Sequence, residues 1–124
     1  MADFDANAPV IIGVGEASRK TVAGEWPAPR ELAGAAIRQA LADTKQPQAV
    51  AAAIDTIAAI RTFEDSGISM GTGSPDNVPE AFGAAGGISA ARLIYADIGG
   101  QSPQVLVNQL AGEIRRSGHR RCRG

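Results

Sequence analysis

Cysteine, histidine and aromatic side chains are nearly absent from this chain: one Cys, one His, one Trp, one Tyr and three Phe among 124 residues. Each scarcity removes a class of protein. A lone Cys122 has no partner for an intramolecular disulfide, and with His119 it cannot assemble a four-ligand zinc site. No metal and no bound cofactor is therefore expected. Apolar runs never approach the roughly 18 to 20 residues of a membrane-spanning helix. The leader, Met1 to Ala8, carries acids where a signal peptide has a basic region, and no apolar stretch of about 7 to 15 residues follows it. The expectation is a disordered leader over 1–8 and a soluble, cytoplasmic protein without membrane partners.

What is present is ordinary for a single globular domain: 44% hydrophobic and 20% charged residues with a formal charge of −1. That charge hides an asymmetry. Five of the twelve basic residues, Arg115, Arg116, Arg120, Arg121 and Arg123, stand in the last ten positions. Residues 1–114 thus carry seven basic against thirteen acidic groups, 7 − 13 = −6. Clustered arginines can neutralise nucleic-acid phosphates. Here no aromatic is interleaved and no recognition motif stands upstream, so the tail reads as solvated and no nucleic-acid partner is expected.

Pro9-Val-Ile-Ile-Gly-Val-Gly15 is rich in β-branched residues and predicts a buried strand over Val10 to Val14. Glu16 to Pro29 lacks apolar periodicity and predicts a loop anchored by Trp26. From Pro29, the residues Leu32, Ala36, Ile37, Ala40 and Leu41 recur at helical spacing until Lys45 and Pro47. Gln48 to Ile54 suggests a short helical turn. Thr56 to Ile60 predicts a second strand and completes a βαβ unit. Arg61 to Val78, rich in Gly, Ser, Thr and Asp, is a loop long enough to be functional or to lie against a partner. Asn77 can cap a helix through about Ala85 that Gly86-Gly87 ends. Leu93 to Ile98 predicts a third strand. Ser102 is the expected N-cap and Pro103 the first-turn residue of a last helix, with Val107, Leu110, Ala111 and Ile114 as its core stripe. The alternation is βαβαβα, an α/β class with a mostly parallel sheet and helices packed on it.

Gly13-Val-Gly15-Glu-Ala-Ser18 invites a dinucleotide reading, because glycines after a first strand let amides approach a pyrophosphate. Such a turn opens directly into a helix. Gly24, Pro27 and Pro29 forbid that here.

Pro9 to Gly15, Arg30-Glu-Leu-Ala, Ile54 to Arg61, Phe63-Glu-Asp-Ser, Asn77-Val-Pro-Glu-Ala and Ala96-Asp-Ile-Gly-Gly-Gln-Ser-Pro-Gln-Val-Leu-Val-Asn108 resemble, in order and spacing, the opening of thiolase-fold proteins. The resemblance is to the acetyl-CoA acetyltransferase-like branch, the thiolase-like proteins, and spans roughly residues 9 to 116. It implies a half-domain with strand order 3-2-1-4-5, a second similar half and an active site between them. Relatives place a nucleophilic cysteine at the N-terminus of the third helix, where the helix dipole favours thiolate. The matching position falls at or beside Gly100, within Gly99-Gly-Gln-Ser102, and no cysteine is there. The acyl-CoA thioester region would be Gly99, Gly100, Gln101 and Ser102, with no catalytic residue among them.

Ser102 as a replacement nucleophile needs a base, and His119 is the sole histidine. Cys122 follows the helix, about 30 Å of axis from its start. Asp97 lacks a second carboxylate for acid–base work, and reads as a structural acceptor. Tyr95 reads as packing on a sheet face or subunit contact. Glu64 and Asp65 read as solvated charges. After Gly118 the family would enter a fourth strand, whereas this chain reads His119-Arg-Arg-Cys-Arg-Gly124. The expectation is a partial half-domain over 9–117 and a basic tail over 118–124, out of frame or belonging to a natural short paralogue. Such a chain would be inactive, with acyl-CoA the partner of its full-length relatives. It would form a homo-oligomer or aggregate through an exposed strand edge. The competing reading is a non-catalytic acyl-CoA-binding or subunit-interaction module.

Overall fold

The computed structural model describes residues 7–20, 27–61, 77–97 and 99–121, with side chains described as far as Arg116. The elements are α1 (Pro29–Asp43), α2 (Pro47–Ala53), β1 (Thr56–Ile60), α3 (Val78–Gly86), β2 (Arg92–Ala96) and α4 (Ser102–Arg121). Two compact units are present, one of Ile12–Ile98 and one of Met1–Ile11 with Gly99–Gly124. Trp26, Glu64, Asp65, Ile98 and Cys122 lie outside the described residues.

In the larger unit, α1 opens on Pro29, whose missing N–H costs nothing in a first turn. Thr44 closes it by donating both its N–H (3.1 Å) and its hydroxyl (2.6 Å) to Leu41 O. Lys45 then takes a left-handed φ of 67° and the chain reverses into α2 at Pro47. The β1 and β2 strands pair in parallel, Thr56 with Arg92 through Ile60 with Ala96. Arg92 N–H to Asp55 O (3.0 Å) and Arg61 N–H to Ala96 O (2.7 Å) extend the ladder at both ends. A parallel pair requires a long crossover, and α3 lies in it. Asn77 caps α3 by accepting from Glu80 N–H at 3.2 Å. Gly87, at φ 82°, ends it, and Ile88 N–H closes back on Gly83 O at 2.8 Å.

Small residues bring these layers together. A Cβ placed on Gly34 of α1 would lie 2.7 Å from Ala85 O of α3, and one on Gly86 would lie 2.7 Å from Ile37 Cβ. Also on α3, a Cβ on Gly83 would collide with Ile57 Cδ1 of β1. Ala28, Ala59, Val78 and Ile88 are buried around this contact. Arg38 ties the same crossing by donating from Nη1 to Ala85 O at 2.6 Å.

Two expectations are corrected. Val10 to Val14 forms no strand, so the sheet has two described strands in place of three. At the end of this segment Val14 N–H donates to Asp43 Oδ2 at 3.0 Å, and just beyond it Glu16 N–H donates to Gln39 Oε1 at 3.1 Å, both on α1. Alternating with them, the backbone at Gly13 and Gly15 sits on the carbonyls of Ala40 and Ala36. Val10, Ile11, Ile12 and Val14 are left between 60% and 81% exposed, the reverse of an interior strand.

The stripe of α4 in the smaller unit is also corrected. Val107 and Ile114 are 53% and 50% exposed, while Leu106 is 7% exposed and Leu110 half-buried. One residue turns a helix by about 100°, so the covered side is centred on Leu106 and Leu110. Of the expected line Val107, Leu110, Ala111 and Ile114, Leu110 and Ala111 are half-buried, and Leu106 is the buried residue beside them.

Candidate functional site

The segment singled out by the sequence, Gly99 to Ser102, is the turn that opens α4. Ser102 N–H donates to Gly99 O at 3.0 Å, and Val105 N–H donates to Gln101 O at 3.1 Å. That second bond places the cap at Gln101. Ser102 is therefore the first helical residue and Pro103 the second, so the helix begins one residue earlier than expected, because Gln101 O already accepts from Val105 N–H. The Ser102 hydroxyl lies over the glycine: a Cβ on Gly99 would come within 3.0 Å of Oγ.

This arrangement sets what the turn can do. A helix start offers up to four unpaired N–H groups and the positive end of the dipole. Pro103 has no N–H and the Ser102 amide is taken, which leaves Gln101 and Gln104 as first-turn donors. Gly100 is exposed, with nothing within 4 Å of the place a Cβ would take. Within Gly99 to Ser102 no residue carries sulfur, and Ser102 carries the one hydroxyl.

The other sequence candidates are not gathered here. His119 lies 17 residues after Ser102 on the same helix, about 25 Å along its axis, so it cannot take the Ser102 proton. Asp97 is exposed just after β2, and Tyr95 on β2 is 39% exposed. Among the described residues no group of three His, Cys, Asp or Glu side chains converges to hold a metal. No described helix is long and apolar enough to cross a membrane.

Two concavities in the larger unit escaped the sequence reading. One, of about 480 Å³, lies between Glu16 to Arg19 and the α1 face of Glu31, Ala35 and Arg38. Two of its polar side chains are already committed, Arg38 to Ala85 O and Gln39 to Glu16 N–H. The other, of about 300 Å³, is apolar and is lined by Ile12, Ile37, Leu41, Val50, Ile54 and Ile88. Ile37 and Leu41 stood out as helix-face residues, but nothing in the order of the chain shows that Ile54 and Ile88 meet them.

The architecture has a counterpart among solved structures. The chain matches a monomeric SCP2-thiolase like protein type 1 from Mycobacterium smegmatis at 33% identity and a TM-score of 0.72, over 90% of this chain. The fold is thiolase-like. The chain spans 22% of the length of that neighbour. No family model matches the chain, and no curated protein does. Among the described residues, the α4 entrance is the helix start with an open glycine turn.

Proposed function

We propose that the chain is part of a thiolase-like acyltransferase of the acetyl-CoA acetyltransferase type, whose chemistry is acyl transfer on coenzyme A thioesters in lipid metabolism. We propose further that this chain does not itself perform the transfer. The observation that carries the reading is the match to the SCP2-thiolase-like structure across 90% of the chain. Chemistry of that kind begins with a thiolate that bonds to the thioester carbonyl and expels the thiolate of coenzyme A. The helix start that the resemblance assigns to the nucleophile reads Gly99-Gly-Gln-Ser, with Gly100 open to solvent and the Ser102 amide turned back on Gly99. The dipole end that would stabilise a thiolate is present, but the sulfur is missing.

The turn also supports a second reading, a module that binds an acyl-CoA without attacking it. Its remaining amide donors suit a carbonyl oxygen. Incubation with acetyl-CoA, followed by chromatography of free coenzyme A and intact-mass measurement, tests the proposal. No release above the uncatalysed rate and no acetylated residue are expected. Enzymatic release, or acetylation anywhere on the chain, overturns it. Calorimetry with acetyl-CoA separates the two readings, since saturable binding without turnover identifies the module.

A further inference from the structure

We draw no further inference here: the strongest candidate, the apolar groove between α1, α2 and Ile88 lined by Ile12, Ile37, Leu41, Val50 and Ile54, is an unpartnered apolar face, and nothing in the structure shows what covers it.

Discussion

Replacing Gly34 by alanine tests how α1 and α3 are joined. In an isolated helix the change is favourable by about 1 kcal/mol, because alanine loses less backbone freedom than glycine on ordering. At Gly34 the new methyl would lie 2.7 Å from Ala85 O and 2.8 Å from its carbonyl carbon and Cβ. Two of those atoms are backbone and cannot rotate aside. Restoring ordinary contact at about 3.5 Å opens the crossing by roughly 0.8 Å. That movement stretches the 2.6 Å bond from Arg38 to Ala85 O and loosens Gly86 against Ile37. Overpacking of this kind costs about 1 to 3 kcal/mol, so the expected net effect is a loss of up to about 2 kcal/mol. Gly112 on α4 supplies the control, since the nearest atom to its added Cβ is the mobile Arg116 Nη1 at 3.4 Å. Gly112→Ala should therefore gain about 1 kcal/mol by propensity alone. Urea melts of the two variants beside the parent protein should move in opposite directions. If Gly34→Ala stabilises as much as Gly112→Ala, the helices do not meet through this glycine.

Three further outcomes follow from local geometry. Asn77→Ala removes the acceptor for Glu80 N–H and should lower stability by about 1 kcal/mol, read as a reduced urea midpoint at unchanged slope; an unchanged midpoint means the cap contributes nothing. Lys45→Gly relieves a left-handed φ of 67° and should raise stability by about 0.5 to 1 kcal/mol in thermal melts, whereas a loss would show that the Lys45 side chain matters more than its backbone. Gly100→Cys should fold normally, because nothing lies within 4 Å of the new Cβ. Its thiol, beside the positive end of α4, should alkylate at a lower pH than Cys122, and identical pH profiles for the two would remove the helix start from consideration as a thiolate site.

The helices and the two paired strands were legible because their signals are local. Pro29 and Asn77 mark helix entrances, Gly86-Gly87 an exit, and Thr56 to Ile60 a β-branched run, and the structure places elements at each. The α4 entrance was legible to within one residue, the difference being a backbone bond from Val105 to Gln101 that composition does not show. What failed was long-range. Val10 to Val14 has the composition of an interior strand, but composition states only that a segment suits a ladder. The Asp43 side chain, 29 residues away in sequence, took the Val14 amide, and that of Gln39, 23 residues away, took the Glu16 amide just beyond the segment. The choice between Val107 and Leu106 as the covered side of α4 likewise depends on what surrounds the helix. Both lines have helical period, and the period alone cannot rank them.

The seat of Gly13 and Gly15 on α1 has the character of a vernier. Moving two residues forward along the segment moves four residues back along the helix, from Ala40 to Ala36, and the two bound amides keep the same step, Val14 at Asp43 and Glu16 at Gln39. A chain near full extension covers about 6.6 Å in two residues, and a helix rises about 6 Å in four. The two rulings nearly coincide, so glycines face the helix while the intervening residues offer their amides to its side chains. A one-residue insertion between Gly13 and Gly15 would bring a side chain where only hydrogen fits, at the carbonyl of Ala36 or Ala40, and would shift an amide off its acceptor. A two-residue insertion would restore the alternation, and would fit if the inserted residue facing the helix were glycine. The tolerance of this stretch to length changes should therefore follow parity and glycine content, with odd insertions disruptive and even ones accommodated only when they supply glycine at the helix-facing position.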